Sequence, residues 1–241
     1  MKKITLIVAM AQEATPLIAF FDLQPCEAFT SKATCRAFAG QYKGLDISLV
    51  INGTDPHFQV ECVGTESATI ATYQALTHFQ PDLLINAGTC GAFAEKGGEI
   101  GKVYIGERIR FFDHRIPMGD YEAYGNGNFL CPEAVTLAQK LRMPLATVCT
   151  GNSLDMSPTD AAILQQELVP VKEMEAAAVA RVASLWGTPL ITIKSITDLM
   201  DSNQTTAEEF MENLALASQN LKQSVIRVLD KIAEESHGTA L

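Results

Sequence analysis

The sequence has few basic side chains. It carries 18 Lys and Arg against 28 Asp and Glu, which gives a formal net charge of −10 over 241 residues. Binding a nucleic acid requires a concentrated basic surface that releases counterions from phosphates, and this balance argues against it. The sequence also lacks any apolar run that approaches the roughly 20 residues needed to cross a bilayer. We therefore expect neither a nucleic acid nor a membrane as a partner.

Paired cysteines are absent as well. The 6 cysteines form no C-x-x-C pair, and none lies near a histidine at zinc-finger spacing. We interpret them as reduced, packed thiols, which predicts a cytoplasmic protein without a metal or another cofactor. Two lysines followed by the apolar run Ile4–Met10 imitate a signal peptide. That run is shorter than the roughly 15–30 residues of such peptides and rich in β-branched residues, so we interpret it as a buried first strand.

The apolar patterning predicts an α/β protein. Hydrophobic residues make up 47% of the chain and charged residues 19%, and no repeat or low-complexity linker divides it, which favours one domain over residues 1–241. The predicted strands, of which the second and third form a hairpin, are Ile4–Ala9, Cys35–Ala39, Asp46–Ile51, Leu83–Ala87, Lys102–Ile105, Ala146–Thr150 and Leu190–Ile196. The predicted helices are Val60–Phe79, Pro132–Leu141, Glu175–Trp186 and a last one that opens with a capping box at Thr206–Glu209. This order predicts a three-layer α/β/α sandwich with a mixed, largely buried central sheet.

Acidic residues lie next to several of the predicted strands. Glu13 follows the first strand, Glu175 opens a helix, and Asp198 follows the last strand. Each acid alone has an ordinary structural explanation, as a first-turn helix residue or a helix cap. Ligands of such folds, however, bind beyond the carboxyl ends of the strands. Several carboxylates on one rim with few bases would suit proton transfer and hydroxyl binding rather than phosphate binding.

Five motifs occur in a fixed order along the chain. They are Ala9-Met10-x-x-Glu13, Ile85–Gly91, Thr150–Met156, Met174–Ala180 and Lys194–Asp198. In this combination the chain resembles the 5′-methylthioadenosine/S-adenosylhomocysteine nucleosidases of the nucleoside phosphorylase superfamily, and the resemblance covers nearly the whole chain. The segments Asp113–Pro117 and Gln204–Phe210 look more like the plant-type branch than the common bacterial one. The fold that the resemblance implies is nucleoside phosphorylase-like.

The resemblance implies hydrolysis of a purine N-glycosidic bond by three acids. Asp198 would be the general acid at adenine N7, and it stands between Ile196 and Leu199, where partial desolvation would raise its pKa. Glu13 would activate the attacking water, and a nearby helix N-terminus would help to keep it ionised. Glu175 would bind the ribose 2′- and 3′-hydroxyls, and its negative charge would favour an oxocarbenium-like transition state.

The resemblance also implies the rest of the pocket. The expected substrate-binding residues are Met10, Thr89, Cys90, Gly91, Leu154, Asp155, Met174, Lys194 and Tyr121. Met10 and Met174 would line the sugar and alkylthio side, although core filling is the commoner role of methionine. Leu154 and Asp155 occupy the segment that pairs with the adenine edge through backbone groups in the family. The family further implies a homodimer in which the segment around Tyr121 covers the 5′ end of the neighbour's substrate.

Four positions depart from the family pattern. Asn152 replaces a usual Asp, Ala176 a frequent Gly, Lys194 the Arg of the common bacterial enzymes, and Ala207 a Phe of those enzymes. The exchange at position 194 could change the way in which Glu175 is held. Because none of the three acids is affected, these departures concern the breadth of substrates and not the reaction.

Other functions compete with this interpretation. A purine nucleoside phosphorylase would use phosphate, but similar phosphorylases carry Arg where this chain has Asn86, and the loop Asn52–Asp55 lacks a base. A non-catalytic nucleoside-binding protein on the same fold would tolerate the loss of Asp198. Among nucleosidases, methylthioadenosine, S-adenosylhomocysteine, 5′-deoxyadenosine and aminofutalosine (the last in menaquinone synthesis) differ only at the 5′ end. The plant-like segments favour methylthioadenosine, in methionine salvage, with weaker activity on S-adenosylhomocysteine.

Overall fold

The structure is a computed structural model, which describes residues 2–29 and 33–238. Its strands, β1 to β10 in chain order, are Lys2–Val8, Gln24–Cys26, Arg36–Tyr42, Leu45–Ile51, Leu83–Ala92, Val103–Phe111, Phe129–Leu130, Leu145–Thr150, Pro170–Glu173 and Leu190–Leu199. Its helices, α1 to α7, are Ala11–Phe21, Thr65–Phe79, Asp120–Asn126, Pro132–Leu141, Pro158–Leu164, Ala176–Trp186 and Thr206–Gly238.

The strands of the described residues form one mixed sheet, which confirms the predicted fold class. The order is β10-β6-β8-β9-β5-β1-β4-β3-β2, and β7 is added to β6. β1 runs parallel to both β4 and β5, whereas β3 and β4 form the predicted antiparallel hairpin. β5 also pairs with β10, so β5, β10, β6, β8 and β9 close into a ring. The carboxyl ends of the parallel strands β1, β5 and β10 consequently point toward one edge of the molecule, where the antiparallel β9 pairs with the last residues of β5.

Helices cover the sheet in two layers. α7 packs along β5 and β10 with α1 and α4 beside it, while α2 and α6 pack together over β1, β4, β6 and β8. Strands buried on both faces need apolar side chains throughout, and in β1 every residue from Ile4 to Val8 is buried. The helix predicted at Pro132–Leu141 is confirmed with the same bounds as α4, where Pro132 occupies the first turn. Within the part of the chain that the structure describes, no helix is both long and apolar enough to span a membrane.

Several predicted boundaries are wrong. β5 was expected to stop at Ala87 and β10 at Ile196, but pairing between them continues to Ala92 and Leu199, past a bulge between Ile196 and Asp198. The glycines and polar residues at the ends of β5 and β10 are typical of turns, but backbone hydrogen bonds between neighbouring strands keep both segments extended. α2 begins at Thr65 instead of position 60, because the preceding Gly64 is not helical.

The capping box of α7 lies one residue earlier than predicted. The Thr205 hydroxyl donates to Glu208 Oε2 at 2.8 Å, and the Glu208 backbone N–H reaches back to the Thr205 Oγ1 at 3.4 Å. Glu209 is therefore free for another partner, and its Oε2 accepts the backbone N–H of Leu199 at 2.6 Å. Thr206 in turn lies on the wall of the cavity described below.

Candidate active site

A cavity of about 230 Å³ opens where the carboxyl ends of β1, β5, β9 and β10 meet the start of α7. Such a position, at the carboxyl ends of sheet strands, is where ligands bind in open α/β folds. The residues that line it are Ala9, Met10, Glu13, Val63, Thr89, Cys90, Gly91, Leu154, Lys172, Glu173, Met174, Glu175, Thr197, Asp198, Thr206 and Phe210. Most of the residues expected from the sequence are therefore brought together, including all three acids.

Three of the expected binding residues do not line this cavity. Lys194 lies behind the wall, fully buried and bonded to Glu173. Asp155 is exposed to solvent although its neighbour Leu154 lines the cavity. Tyr121 is 59% exposed on α3. Its expected place was over the site of a second subunit, so its exposure in a single chain leaves that prediction open.

Glu13 is held in the first turn of α1 by hydrogen-bond donors. Its Oε1 accepts the backbone N–H of Thr89 at 2.7 Å and the Thr89 hydroxyl at 2.8 Å, and its Oε2 accepts the backbone N–H of Met10 at 3.2 Å. Burial raises the pKa of Glu13 above its usual value, while these donors and the positive charge of Lys194 work against that rise. The pKa of this carboxyl group is thus raised, while the three donors around it suit its ionised form.

Glu175 stands at the N-terminus of α2 and at the start of α6. Its Oε1 accepts the backbone N–H of Gly64 at 2.8 Å. Gly64 has φ +91°, a conformation that other residues rarely adopt, and this turns its N–H toward the carboxylate. Asn152 fixes the same turn, because its amide oxygen accepts the Thr65 N–H and its amide nitrogen donates to the Thr65 hydroxyl. Burial and the charge of Glu173 raise the pKa of Glu175 to about 7, with Lys194 opposing them.

Glu173 and Lys194 form a buried ion pair beside the acids. Lys194 Nζ donates to Glu173 Oε2 at 2.8 Å, and both side chains are 1% exposed. Glu173 further accepts the Thr150 hydroxyl and the backbone N–H groups of Glu175 and Ala176, which caps α6. Every Glu173 oxygen is thus occupied by the scaffold. Lys194 affects Glu175 through its charge and not through a direct hydrogen bond, which answers the question raised by the exchange at this position.

Asp198 lines the cavity from the carboxyl end of β10, where it pairs with Gly91 of β5. Its Oδ1 accepts the Thr197 hydroxyl at 2.7 Å, and its Oδ2 lies so close to Gly91 that a Cβ there would stand 2.4 Å away. Glycine at position 91 is therefore what leaves room for the acid. Burial raises the pKa of Asp198, the direction expected from its apolar flanks, while Thr197 and Lys172 lower it and Glu209 adds to the rise. A raised pKa favours a carboxyl group that retains a proton.

Sequence reasoning missed several residues of the cavity. Lys172 and Val63 belong to segments without a recognised motif, and Glu173 directly precedes the motif Met174–Ala180. Thr206 and Phe210 lie in the plant-like segment Gln204–Phe210, but neither was predicted as a binding residue. The signal that could have identified Lys172 is a charged residue directly after a short apolar run, Val169–Val171, and close before the motif Met174–Ala180.

Asn86 does not line the cavity. Its side chain is buried, and Nδ2 donates to the Ile7 carbonyl at 3.1 Å. The two lysines near the acids are also committed, Lys194 to Glu173 and Lys172 to two backbone carbonyls. The cavity brings together three carboxyl groups that can move protons or bind hydroxyls, and its lining holds one lysine and no arginine for an incoming phosphate.

Known proteins match this chain in sequence and in structure. The model of the phosphorylase superfamily matches residues 3–230. An Arabidopsis thaliana 5′-methylthioadenosine/S-adenosylhomocysteine nucleosidase is 41% identical over 232 residues, covering 95% of this chain and 91% of the relative. An Arabidopsis thaliana 5′-methylthioadenosine nucleosidase is 35% identical over 231 residues, covering 95% and 86%. The solved apo structure of Arabidopsis thaliana 5′-methylthioadenosine nucleosidase superposes with a TM-score of 0.93 at 34% identity, over 96% of each chain.

Proposed function

The chain belongs to the phosphorylase superfamily, and from this membership we propose that it is a nucleosidase, which hydrolyses the N-glycosidic bond of 5′-methylthioadenosine to adenine and the 5-thio-ribose in methionine salvage. The observation that carries the proposal is the convergence of Glu13, Glu175 and Asp198 on one cavity. The similarity to the plant nucleosidases supports the same reaction class, a purine N-glycosidase.

The chemistry assigns one step to each acid. Asp198 gives its proton to adenine N7 while the electron pair of the C1′–N9 bond moves to the purine, which leaves as neutral adenine. The sugar passes through an oxocarbenium-like transition state, which the charge of Glu175 stabilises while its oxygens hold the ribose hydroxyls. Glu13 takes a proton from the water whose oxygen bonds to C1′. The carboxylates act on opposite sides of the sugar, as in glycoside hydrolysis, without a covalent intermediate.

Water is the favoured nucleophile because the lining of the cavity holds no arginine, and its carboxyl groups outnumber its one lysine. Phosphate binding calls for arginine or several free N–H donors. Here the Lys194 and Lys172 ammonium groups are bonded to Glu173 and to the carbonyls of Ser153 and Leu154. A phosphate in the place of the attacking water would also be repelled by the negative charge of Glu13. These features support hydrolysis over phosphorolysis.

The lining of the cavity supports methylthioadenosine as the faster substrate, with weaker activity on S-adenosylhomocysteine. Met10, Val63, Met174 and Phe210 supply an apolar wall. A methylthio group buries only apolar surface there, whereas a homocysteinyl group carries an ammonium and a carboxylate that must stay hydrated or find partners. Specificity for the 5′ end is thus set by space and polarity beside Phe210.

The proposed function is tested by incubating the purified protein with methylthioadenosine or S-adenosylhomocysteine, each with and without phosphate. We expect adenine from both substrates, faster from methylthioadenosine, at rates that phosphate does not change. The sugar product should be free thio-ribose. Liquid chromatography of the base and the sugar products measures both.

Other products would identify the competing functions. A sugar 1-phosphate, or a strict need for phosphate, would establish a phosphorylase. Release of base only from aminofutalosine would move the protein to menaquinone synthesis. Binding of methylthioadenosine without any release of adenine would establish a nucleoside-binding protein.

The proposal includes a homodimer. An apolar face is formed by α2, α6 and α3, with Ile70, Tyr73, Leu185 and Trp186 all between 45% and 76% exposed. Val63 lines the cavity, is 44% exposed and lies two residues before the start of α2, so it connects this apolar face with the site. A second copy packed there would bury these side chains and could place its Tyr121 over the neighbouring cavity.

We expect a mass of twice the 26.1 kDa chain in sedimentation velocity. Leu185→Glu should produce monomers, because it buries a charge in the interface. Leu168→Glu is the matched control, since Leu168 is 90% exposed and lies in the loop between α5 and β9. A wild-type monomer, or a dimer that persists in the Leu185 variant, would rule out this interface.

The cellular setting remains part of the proposal. All six cysteines are free thiols, which suits the reducing cytoplasm. We further propose that residues 1–241 form one catalytic domain, with a nucleoside as the small-molecule partner. The buried core that runs from Ile4 to Ala233 supports a single folding unit.

A further inference from the structure

Lys172 and Asp198 lie on either side of Gly91. In the sheet, Lys172 of β9 is in register with Gly91 of β5, and Gly91 is in register with Asp198 of β10. Residues in register on neighbouring strands project from the same face. Gly91 contributes no side chain between them, and a Cβ at that position would stand 2.4 Å from Asp198 Oδ2. The side chains of the lysine and the acid therefore project from the same face of the sheet, on either side of one glycine.

Lys172 is a buried charge with neutral hydrogen-bond partners. Its side chain lines the cavity and the residue is 5% exposed. Nζ donates to the carbonyls of Ser153 at 2.5 Å and Leu154 at 2.9 Å, and lies over the Phe112 ring at 5.8 Å. None of these groups cancels its charge. An ammonium group has three protons, so a third remains beyond those given to the two carbonyls.

We propose that Lys172 is a positioning residue that sets the acidity of Asp198, because its charge stabilises the carboxylate that Asp198 becomes on giving its proton to the leaving purine. This inference rests on the proposed function, in which Asp198 is the general acid. The same side chain holds the Ser153–Leu154 backbone, which forms the cavity wall near the leaving base.

The charges around both groups support this role. Burial raises the pKa of Asp198, the Thr197 hydroxyl and then the charge of Lys172 lower it, and Glu209 from α7 raises it further. Burial lowers the pKa of Lys172. The negative charges of nearby acids raise it, Asp198 most and Asp155, Asp160 and Glu173 less. The Cys90 thiol nearby stays protonated, because burial raises its pKa well above the usual value. Lys172 is thus the cation that offsets the desolvation of Asp198.

Three substitutions separate the charge from the hydrogen bonds. Lys172→Met removes the charge and the donors at similar side-chain length. Lys172→Gln removes the charge but keeps a donor for the Ser153 or Leu154 carbonyl. Lys172→Arg keeps both. The charge can therefore be tested apart from the support given to the backbone.

The experiment measures kcat for methylthioadenosine across pH, together with the Kd of a 7-deaza analogue, which lacks the nitrogen that is protonated. In the wild type, kcat falls as pH rises through the pKa of Asp198, because the acid must carry a proton. We expect Lys172→Gln and Lys172→Met to move this basic limb up by about one pH unit and to lower the plateau about tenfold. The acid limb should stay in place, and Lys172→Arg should restore the basic limb. The Kd should rise mainly in Lys172→Met.

A basic limb that stays at the wild-type pH in Lys172→Gln would overturn the proposal, whatever happens to the Kd. Thermal unfolding checks that each variant is folded. If Lys172→Met does not fold, the pH profile of Lys172→Gln alone decides the test. Failure of the proposed function gives a different result, since the wild type would then release no adenine in phosphate-free buffer. An active wild type with an unshifted Lys172→Gln variant refutes only the role of Lys172.

Discussion

Replacing Asp198 with Asn should slow the release of adenine about a thousandfold, within the range that a general acid contributes. Asn has the same size and can still accept the Thr197 hydroxyl, which lies 2.7 Å from Asp198 Oδ1. It has no proton that it can transfer to adenine N7, so the purine would have to leave as an anion. Binding of the 7-deaza analogue should change little. Single-turnover measurement of adenine release and calorimetric titration of the analogue test the two expectations separately.

The pH profile provides a second readout for Asp198. Because burial raises the pKa of this acid, the wild type should stay active to a higher pH than a free aspartate would allow, and the basic limb should be missing in the Asn variant. Asp201→Asn is the matched control, since the Asp201 carboxylate accepts the backbone N–H groups of Ala94 and Glu95 outside the cavity. Turnover at the wild-type rate in Asp198→Asn would mean that the proton comes from elsewhere.

Local sequence patterns were sufficient for the elements with strong local signals. α4 could be predicted to the residue because Pro132 begins it and an apolar stripe follows. β1 and the β3–β4 hairpin were predicted from apolar runs and a short glycine-containing connection. β5 and β10 were predicted too short, because Gly88, Gly91 and Asp198 resemble turn residues. Their extended conformation depends on pairing with strands distant in sequence, which no local window contains.

The candidate site shows the same division. Glu13, Glu175 and Asp198 were found because they occur in recognisable motifs at strand and helix ends. Lys172 adjoins one of these motifs, but its place opposite Asp198 depends on the register of β9 against β5. A shift by one residue would turn the side chain to the other face of the sheet. Such a relation is a property of the folded sheet and could not be predicted from spacing along the chain.

Replacing Glu13 with Gln should lower kcat by a factor of about a hundred to a thousand, because the neutral amide cannot remove a proton from water. The amide oxygen can still accept both donors of Thr89, whereas the Met10 N–H loses its carboxylate. Burial raises the pKa of Glu13, so wild-type activity should fall as pH drops through that raised value. The Gln variant should lose the part of the acid limb that Glu13 sets, while the part set by Glu175, whose pKa is raised to about 7, should remain. Initial rates of adenine release across pH measure both effects.

Stability distinguishes a lost base from a damaged fold. A carboxyl group whose pKa is raised on folding lowers stability as pH rises through that pKa, because the folded state must then hold a buried charge. Glu13→Gln removes this cost, so its thermal midpoint at pH 8 should be no lower than that of the wild type. Glu133→Gln, in the first turn of α4, is the matched control and should keep full activity.

Azide can replace water as the nucleophile in a variant that lacks the Glu13 carboxylate. It attacks C1′ without a proton to lose, so in Glu13→Ala it should restore the release of adenine and leave the sugar as a glycosyl azide. If azide fails while the fold is intact, Glu13 does more than activate water.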